Sequence, residues 1–429
     1  MQGSAVGYHR GMKVYLVGGA VRDALLGRPV KERDYVVTGA TATELVDAGY
    51  TPVGRDFPVF LHPETRSEHA LARRERKTGP GYRGFVTEFS PDITLEEDLR
   101  RRDLTVNAIA QADDGQLIDP YGGQADLEAK TLRHVSEAFV EDPVRILRVA
   151  RFAARFAPLG FTVHPETLAL MRQMVTAGEA DALVAERVWQ ETERALGEDR
   201  PDVFFRTLRD CGALAVIFPE VDRLFGVPQP PEWHPEIDTG EHLLLCLRQA
   251  AQLGAPNTVR FATLTHDLGK GLTPRAAWPK HHGHESAGLP LVDALCERLK
   301  PPTAYRELAR LACQHHGNLH RAFELRADTL LELLERCDAF RRPERFGELL
   351  LACQIDAQGR TGLGNANYPQ RDYVDRQRAA AAAITLTEAD RTGLAGPQIA
   401  SALRLRRLAV MEPLRAAARA ARSTATTAG

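Results

Sequence analysis

The chain has 429 residues, 44% of them hydrophobic and 26% charged, so it is long enough for about three domains with buried cores. Its formal net charge of −2 excludes a uniformly basic nucleic-acid-binding protein, and any nucleic-acid site must be a local patch. No apolar run approaches the roughly 20 residues that cross a bilayer, and the first residues lack the apolar core of a signal peptide. Six cysteines without a CxxC pair are typical of reduced thiols, so we expect a cytoplasmic protein.

The order of local patterns divides the chain into an α/β part and a helical part. After a disordered leader at 1–11, short β-rich runs alternate with helical ones over 12–141, which predicts a head with a mixed sheet. Beyond this head, apolar residues recur at spacings of three and four, which predicts one helix after another. We place a neck and body at 142–230, a further helical domain at 231–360 and a helical tail with a frayed end at 361–429, so the fold class is α+β.

A glycine turn follows the first predicted strand. Residues 13–17 are apolar enough for a buried strand, Gly18 and Gly19 form a turn, and a short helix then runs to Gly27. The backbone N–H groups at the start of that helix face outward and suit a polyphosphate. Arg22 lies in its first turn and can add a charge-assisted fork to the same oxygens.

Two acids, Glu32 and Asp34, stand at the start of the next strand. Because side chains two apart share one face of a strand, these carboxylates repel each other unless cations sit between them. Mg²⁺ takes carboxylate and phosphate oxygens together, and two such ions stabilise the attacking and leaving oxygens of a phosphoryl displacement. A solvated strand end is the alternative for such a pair alone, but its position after a glycine turn favours nucleotide binding. The chain has no GxxxxGK[ST] motif, which excludes a P-loop.

Three basic segments follow. We expect the basic, glycine-rich segment 70–85 to contact primer or triphosphate or to help switch between bases; a solvated loop is the alternative. In DLRRRDLTVNAI (98–109), Arg102 precedes Asp103 and Asn107 lies four residues further on; a charged surface turn is the alternative. In EDPVRILRVARFAARF (141–156), a predicted helix opens with Asp142 and Arg145 three residues apart. Its arginine stripe, for which a solvated face is the alternative, continues with Arg148, Arg151 and Arg155.

Histidines cluster in the second half of the chain, where nine of the 14 lie between His234 and His320. His242, the adjacent His266-Asp267 and Asp356 have the order of an HD-type site, in which imidazoles and carboxylates from separate helices converge on a divalent ion. Buried structural histidines are the alternative, but the string HDLGKG favours a metal-dependent phosphohydrolase. Spacing leaves open which further histidines reach this site, among His281, His282, His284, His315 and His316.

Together these strings resemble a known family. VGGAVRD, ERDYVV, RRDLTVNA and EDPVRILRVARF are similar to class II tRNA nucleotidyltransferases, the CCA-adding enzymes that share a polymerase-β-like head with bacterial poly(A) polymerases. The resemblance runs from about residue 12 to beyond residue 360, and HDLGKG resembles the bacterial multifunctional branch with an HD phosphohydrolase domain. It implies a polymerase-β-like nucleotidyltransferase head with a mixed sheet, an all-α neck and body that binds tRNA by shape and phosphate contacts, and an α-helical HD domain.

The resemblance also implies roles for individual head residues. Glu32 and Asp34 hold Mg²⁺ as the catalytic pair, and Gly19, Arg22 and Arg102 contact the nucleoside triphosphate. Many relatives have Asp at the position of Glu32, and the extra methylene leaves open whether Glu32 bridges two metals or binds one. The nucleotide-selecting helix carries Asp142, Arg145, Arg148 and Arg151.

For the HD domain, the resemblance implies a divalent metal, with Ni²⁺ as a candidate, and it favours His284 and His316 as accessory residues beside the four ligands. The implied substrates are 2′-phosphates and 2′,3′-cyclic phosphates. Such an activity would repair tRNA 3′ ends before the head extends them.

Hydrogen-bonding patterns explain how one acid and one arginine would select two bases. Cytosine presents an amino group beside a ring-nitrogen acceptor, and adenine presents the same pair in the same order. A carboxylate at Asp142 and a guanidinium at Arg145 would accept both, whereas uracil and guanine invert the pattern. Each mismatch leaves a buried donor or acceptor unpaired, which costs about 1–3 kcal/mol.

We therefore expect template-independent addition of C, C and A to tRNA 3′ ends from CTP and ATP, with attack of the primer hydroxyl on the α-phosphate and release of pyrophosphate. A poly(A) polymerase or A-only enzyme has the same head motifs and remains an alternative, separated by its failure to use CTP. A non-catalytic RNA-binding head beside an active HD domain is disfavoured by the intact Glu32, Asp34 and Arg102. We expect tRNA as the partner, no membrane association, and a monomer or homodimer.

Overall fold

The computed structural model describes residues 11–53, 59–77 and 85–427. The chain divides into two units, the first comprising Met1–Ala195 with Val203–Ile217 and the second Leu196–Asp202 with Phe218–Gly429. Two of the predicted segments lie partly outside the described residues: the leader, except for Gly11, and positions 78–84 of the basic, glycine-rich segment.

A mixed sheet forms the core of the first unit. In chain order its head contains β1 (Lys13–Val17), α1 (Gly19–Leu25), β2 (Asp34–Thr38), α2 (Ala42–Asp47), β3 (Thr51–Val53), β4 (Val59–Leu61), β5 (Glu68–Leu71), β6 (Arg73–Lys77), β7 (Phe85–Phe89), α3 (Leu95–Arg100), β8 (Ala110–Ala112), β9 (Leu117–Ile118), α4 (Gly123–Glu128) and β10 (Thr131–Leu132). Seven strands pair in the order β3-β4-β5-β2-β1-β8-β9. Only β2 and β5 run parallel within that sheet, and β6 pairs with β7 separately.

The central strands are apolar because both faces of the sheet are covered. Val36 and Val37 are consecutive in β2 and point to opposite faces, yet both are buried. Val37 packs with Val14, Leu45 and other residues on one face, whereas Val36 packs in a second cluster on the other. A strand covered on both faces has an unbroken apolar run rather than an alternating one, as the YVV sequence of β2 shows.

The register of the sheet places the glycine turn beside the acid pair. Val17, the last residue of β1, pairs with Asp34, the first residue of β2. Gly18 follows with φ of 69°, a left-handed conformation that glycine adopts without the penalty a Cβ brings. Helix α1 then begins at Gly19. Glu32 lies just before β2, so the start of that strand and the turn occupy the same edge of the head.

The rest of the first unit is mainly helical. It contains α5 (Val144–Phe156), β11 (Thr162–Val163), α6 (Pro165–Thr176), α7 (Ala185–Leu196), α8 (Pro201–Asp210) and α9 (Ala213–Ile217). Asp142 was predicted to open α5, but it lies before the helix in an extended conformation, with φ −118° and ψ 107°. Pro143 explains the difference, because a proline disfavours helical angles in the residue before it.

Helices make up the second unit. They are α10 (Pro219–Asp222), α11 (Thr239–Gln252), α12 (Asn257–Thr265), α13 (His284–Leu299), α14 (Thr303–His320), α15 (Ala327–Arg336), α16 (Pro343–Gln358), α17 (Gln370–Ala382), α18 (Glu388–Arg391) and α19 (Gly396–Thr427). The described residues of this unit contain no β-strand. One apolar cluster joins α11, α12 and α14–α16, with further contributions from α17 and α19.

The predicted α+β class is confirmed, with a mixed-sheet head followed by a mainly helical remainder; the expectation of an all-α neck is wrong only at β11, which pairs with β10. The limits we placed inside the helical part remain predictions, although the last helix continues to Thr427 across most of the segment that we expected to fray. Among the described residues, no helix is both long and apolar enough to cross a membrane. All six cysteines are described; each is buried and none forms a disulfide.

Candidate active sites

The glycine turn lies against an arginine side chain. A Cβ added to Gly18 would lie 2.8 Å from Arg102 Nη1, so a methyl group there would collide with the guanidinium. Arg102 is held in place by Asp98, whose Oδ2 lies 3.3 Å from Nη2, and by the Asn107 carbonyl oxygen 3.5 Å from Nη1. The absence of a side chain at Gly18 therefore lets a fixed positive charge reach the start of α1.

The acid pair shares this corner. Glu32 and Asp34 are both exposed. The pKa of Asp34 is raised above its usual value because the surrounding protein displaces part of its solvent; Arg102 acts in the opposite direction, and Glu32 raises the pKa further. Two carboxylates and one guanidinium thus lie within electrostatic range of one another. A bound cation would relieve the repulsion between the acids and lower the pKa of Asp34.

Arg22 is engaged with protein groups instead of facing outward. Its Nε donates to Asp23 Oδ1 at 2.9 Å, and its Nη1 donates to the side-chain oxygen of Asn107. The guanidinium carbon also lies 5.2 Å and 5.0 Å from the ring centres of Phe152 and Phe156. With only 3% of its surface exposed, Arg22 supports the turn from behind, while Arg102 is the arginine beside it. Direct contact of Arg22 with a triphosphate remains a prediction.

Asp103 connects the RRDLTVNA segment to α5. Its Oδ2 accepts from Arg148 Nε at 2.7 Å, and its Oδ1 accepts from Asn107 Nδ2 at 2.9 Å and from the Leu104 amide at 2.8 Å. Burial alone would raise the pKa of this carboxyl, but Arg148 and the hydrogen bonds outweigh burial and hold the pKa well below its usual value. The turn is therefore a buried, charge-paired junction and not the charged surface turn of the alternative reading.

The arginine stripe of α5 is paired with carboxylates and carbonyls. Arg145 donates to the carbonyl oxygens of Ala138 and Arg101, each at 2.6 Å, and Arg155 lies 3.0 Å from Asp23 Oδ2. Arg151 Nε lies 2.6 Å from Glu191 Oε2 of α7. Since Arg145 and Arg151 are buried, the solvated-face alternative for this helix is wrong.

Asp142 and Arg145, the proposed base-reading pair, are both held by backbone groups. Asp142 Oδ1 accepts from the Val144 amide at 3.0 Å and so caps the start of α5. The Arg145 guanidinium lies between two backbone carbonyls, as described above. A base-reading role for Asp142 and Arg145 therefore stays a prediction. Glu191 was not recognised in the sequence, where nothing distinguishes it from other acids on the amphipathic helix α7.

The four predicted HD residues converge in the second unit. His242 of α11 places Nε2 3.0 Å from Asp356 Oδ1 of α16. His266, at the end of α12, places Nε2 3.2 Å from Asp267 Oδ2 and 3.6 Å from Asp356 Oδ2. All four side chains are buried. Three helices thus bring two imidazoles and two carboxylates to one point, as the order of His242, His266-Asp267 and Asp356 in the sequence predicted.

A second group shares Asp267 with the first. His284 Nε2 and His316 Nε2 lie 3.3 Å and 3.5 Å from Asp267 Oδ1, whereas His266 Nε2 lies nearest to Oδ2. The structure therefore brings both residues that we favoured as accessory to the site. By contrast, His281 bonds to Thr273 Oγ1 at 2.9 Å and to the Pro228 carbonyl at 2.9 Å.

The hydrogen bonds around these imidazoles fit a divalent metal. The Nδ1 atoms of His266, His284 and His316 lie 2.7, 2.7 and 2.9 Å from backbone carbonyl oxygens, which places a proton on each Nδ1 and turns each Nε2 toward the cluster. His266 Nε2 and Asp267 Oδ1 are buried without a hydrogen-bond partner among the described residues. A cation between them would satisfy both atoms.

Charge states at neutral pH also suit metal binding. Burial opposes ionisation of Asp267 and Asp356, but nearby His266 and other cationic neighbours outweigh it and lower both pKa values well below the usual range. Burial lowers the pKa of His316 to about 3, so that imidazole is neutral and able to donate a lone pair. The cluster therefore offers ionised carboxylates together with at least one neutral imidazole.

Three residues of this centre were missed in the sequence. Glu236 Oε1 lies 2.9 Å from His242 Nδ1, and Lys270 Nζ lies 2.6 Å from Asp267 Oδ2. His320 Nε2 lies 2.7 Å from Asp356 Oδ2. The spacing of His316 and His320, four residues apart on α14, was an available signal, because such residues share a helix face. Lys270 follows Asp267 by three residues, whereas no local pattern marks Glu236.

The folds and the two sites define a class, a nucleotidyltransferase head joined to an HD-type phosphohydrolase unit. Three families match in chain order: the poly A polymerase head domain at residues 14–133, the probable RNA- and SrmB-binding site of polymerase A at 160–225, and the HD domain at 239–351. The three matches cover the glycine turn with the acid pair, helices α6 to α9 and most of the histidine cluster, whereas α5 lies between the first two matches.

Full-length relatives narrow this class. The multifunctional CCA protein of Thioalkalivibrio sulfidiphilus is 64% identical over 405 residues, which are 94% of this chain and 99% of that protein. That of Alkalilimnicola ehrlichii is 62% identical over 404 residues, which are 94% of this chain and 98% of that protein. The chain belongs to the family of multifunctional CCA proteins.

Solved structures share the fold. A CCA-adding enzyme in its apo form II superposes with a TM-score of 0.64 at 22% identity, covering 94% of this chain and 88% of that one. The Thermotoga maritima CCA-adding enzyme, which was solved in complex with tRNA, gives 0.59 at 21% identity with the same coverage of 94% and 88%. At this identity the likeness concerns the architecture of the chain and not its individual residues.

Proposed function

We propose that this chain adds CCA to the 3′ ends of tRNA without a template, using CTP and ATP, and that its HD unit hydrolyses 2′-phosphates and 2′,3′-cyclic phosphates to repair those ends. The observation that carries the first activity is the pairing of Val17 with Asp34, which sets the acid pair beside the glycine turn and Arg102. The names of the full-length relatives support the choice of CCA over A alone.

In the head, Glu32 and Asp34 hold Mg²⁺ while Arg102 and the amides at the start of α1 bind the triphosphate. Bound Mg²⁺ supplies the positive charge that stabilises the attacking and leaving oxygens. The primer 3′-hydroxyl attacks the α-phosphate of CTP or ATP, and pyrophosphate leaves. Arg22 and Gly19 complete the turn on which the triphosphate rests.

Nucleotide selection is assigned to Asp142, Arg145, Arg148 and Arg151. Support comes from the way two of these arginines are held: Arg148 by Asp103 and Arg151 by Glu191. A guanidinium whose position is fixed before the ligand arrives loses less entropy on binding and rejects mismatched bases more strongly. A poly(A) polymerase or A-only enzyme is the alternative, and it would not use CTP.

In the HD unit, His242, His266, Asp267 and Asp356 hold a divalent metal, with His284 and His316 as accessory ligands. Because these donors are mainly imidazoles and carboxylates, a transition metal such as Ni²⁺ suits them. A bound metal of this kind supplies Lewis acidity to a phosphoryl oxygen. Glu236 and the backbone carbonyls orient the imidazoles, and Lys270 holds the carboxylate of Asp267.

We further infer that tRNA is the partner, that the enzyme acts in the cytoplasm, and that it works as a monomer or homodimer. The free, buried cysteines support a reducing compartment. No membrane-spanning helix occurs among the described residues.

Two assays test the two proposed activities: nucleotide addition to tRNA, and hydrolysis of a 2′,3′-cyclic phosphate. Purified protein is incubated with tRNA lacking its terminal CCA, Mg²⁺ and labelled CTP or ATP, singly and together. We expect two C and then one A; addition of A alone would support the alternative. Asp34→Ala should abolish addition and preserve HD phosphohydrolase activity, Asp267→Ala should do the reverse, and Asp113→Ala, an exposed acid in a head turn, should change neither. Loss of both activities in either site variant would contradict separate sites.

A further inference from the structure

The connection between α16 and α17, residues 359–369, is bonded to the HD centre near both of its ends. Thr361 N donates to Glu236 Oε2 at 3.1 Å, and Glu236 Oε1 lies 2.9 Å from His242 Nδ1. Near the other end, the hydroxyl of Tyr368 lies 2.9 Å from His320 Nδ1. Neither Thr361 nor Tyr368 was singled out in the sequence, yet the segment that carries them reaches two imidazoles of the centre, one directly and one through Glu236.

Two buried glutamines hold this connection in place. Gln249 Nε2 donates to the Gly364 carbonyl at 2.8 Å, and Gln358 Nε2 donates to the Ala366 carbonyl at 2.8 Å. Gln249 lies on α11 and Gln358 on α16, and these helices carry two of the four predicted metal ligands. Tyr368 itself is 9% exposed. The position of its hydroxyl is therefore set by the same helices that position the ligands.

His320 joins Tyr368 to a carboxylate of the metal centre. Its Nε2 lies 2.7 Å from Asp356 Oδ2, and its ring packs edge-on against Tyr368 with ring centres 5.6 Å apart at 81°. Because an ionised carboxylate can only accept, the proton between these two atoms is on Nε2. In the neutral imidazole Nδ1 is then an acceptor, and the Tyr368 hydroxyl donates to it. Donation thus runs from Tyr368 through His320 to Asp356.

The imidazoles predicted as ligands have the opposite arrangement. Their Nδ1 atoms lie 2.7 to 2.9 Å from groups that only accept, which are backbone carbonyls at His266, His284 and His316 and the Glu236 carboxylate at His242. The proton is therefore on Nδ1 in these rings, and Nε2 is available to a metal. The hydroxyl beside His320 Nδ1 can donate, so His320 alone among these five imidazoles has Nε2 as a donor.

We propose that Tyr368 and His320 are positioning residues of the phosphohydrolase centre. Tyr368 keeps the proton on His320 Nε2, and His320 holds the Asp356 carboxylate in the orientation in which it binds the metal. His320 is thus a hydrogen-bond donor to a ligand and not a further ligand. The inference rests on the proposed phosphohydrolase function and adds to it the residues that prepare the metal site. Since these residues act through Asp356, they strengthen metal binding and leave KM for the substrate unchanged.

The first test measures Ni²⁺ affinity of the full-length protein by calorimetry. His320→Ala should weaken Ni²⁺ binding about 10–100-fold, the usual effect of losing a hydrogen bond to a ligand, and Tyr368→Phe about tenfold. His320→Gln keeps an N–H donor and should stay within about threefold of the wild type. Tyr373→Phe is the matched control, because the hydroxyl of this buried tyrosine bonds to Gln377 at 3.3 Å instead of to the centre.

A double variant tests whether Tyr368 acts through His320. If it does, Tyr368→Phe should cause no further loss of Ni²⁺ affinity in the His320→Ala background, since the group on which it acts is missing. Two independent losses that add in the double variant would overturn the proposed chain. At saturating Ni²⁺, KM for 2′,3′-cyclic AMP should stay within about twofold of the wild type in both single variants. Addition of C and A by the head should be unchanged, which reports that the variants are folded.

The position of the proton gives a readout that a merely structural role would not move. In protein with ¹⁵N-labelled histidine and bound Zn²⁺, two-bond ¹H–¹⁵N spectra distinguish an Nε2–H imidazole from an Nδ1–H one, and the signal missing from His320→Gln identifies His320. We expect Nε2–H; an Nδ1–H form of His320 would mean that this residue binds the metal, and would overturn the proposal. Unchanged Ni²⁺ affinity in His320→Ala would do the same while the phosphohydrolase function stands. If the wild type binds neither metal and hydrolyses no 2′,3′-cyclic AMP, that function fails and this inference fails with it.

Discussion

The buried pair of Arg151 and Glu191 gives the sharpest quantitative prediction about the head and neck. Their side chains are 8% and 5% exposed, and Arg151 Nε lies 2.6 Å from Glu191 Oε2. At an effective dielectric constant of about 20, opposite charges roughly 4 Å apart attract by about 4 kcal/mol. Removing one partner from a buried pair typically costs about 3–5 kcal/mol, because the other charge stays desolvated.

One contact reduces this loss. The Arg151 guanidinium carbon lies 4.6 Å from the ring centre of Phe152, a cation–π contact worth about 1 kcal/mol that survives without Glu191. We therefore expect Glu191→Ala to lower the free energy of unfolding of the first unit by about 3 kcal/mol. Glu191→Gln keeps a hydrogen bond and should cost about 1–2 kcal/mol. The double variant Arg151→Leu/Glu191→Leu should lie within about 1 kcal/mol of the wild type.

Trp189 provides a local probe for this measurement. It lies two residues before Glu191 on α7 and is buried, and the other two tryptophans, Trp233 and Trp278, belong to the second unit. In a background with both replaced by Phe, fluorescence during urea unfolding reports the first unit alone, which matters because separate units need not unfold together. Gln190→Ala, a change at an exposed position on the same helix, is the control and should shift stability by less than about 0.5 kcal/mol.

The refuting result is a small effect of Glu191→Ala. A loss under about 1 kcal/mol would mean that the pair is solvated in solution and does not fix Arg151. A double variant as unstable as Glu191→Ala would show that packing, and not an unpaired charge, explains the loss. If Arg151 is fixed for nucleotide selection, Glu191→Ala should also lower CTP and ATP incorporation more than Glu191→Gln does at a temperature where both variants are folded.

Two further predictions concern the corner where the glycine turn meets the acid pair. Gly18→Ala should reduce nucleotidyl transfer, because the added Cβ would lie 2.8 Å from Arg102 Nη1. Gly27→Ala is the control: it has similar backbone strain, with φ of 65°, but its Cβ would have no atom within 4 Å, so it should retain activity. Equal losses of activity in the two variants would mean that backbone strain alone explains the effect. The pKa of Asp34, followed by ¹³C NMR in metal-free protein, should lie above the usual aspartate value, since partial desolvation by the surrounding protein and the Glu32 charge outweigh Arg102. Stability should therefore fall as pH rises through that pKa. Added Mg²⁺ should move the titration to lower pH, and a midpoint insensitive to Mg²⁺ would argue against a metal at Asp34.

Local sequence patterns were sufficient for the elements around both sites. The predicted strand at 13–17 is present, and α1 covers most of the predicted short helix; the predicted two-glycine turn is confined to Gly18, because Gly19 is already the first residue of α1. The order of the HD residues likewise anticipated a convergence that the structure contains. These features follow from short-range rules: apolar periodicity sets strand and helix, and glycine marks positions such as Gly18 where the backbone takes a left-handed conformation.

Side-chain partnerships required the tertiary structure. Asp103 and Arg148 are 45 residues apart, Arg151 and Glu191 are 40 apart, and His242 and Asp356 are 114 apart. No local pattern shows whether an arginine on an amphipathic helix faces solvent or a buried carboxylate. Only the fold therefore excludes the solvated-face alternative for α5.

The sequence by itself therefore determined the strands and helices around both sites and the residue types at their ends. Those residue types in turn determined the class of chemistry. Tertiary packing decided which charged side chains are held in place and which residues hold them. It turned Arg22 inward and brought Arg102 to the glycine turn. It also added Glu236 and His320 to the HD centre. The physical reason is that periodicity encodes the burial of one residue at a time, whereas a buried charge is stable only where distant parts of the chain supply its partner.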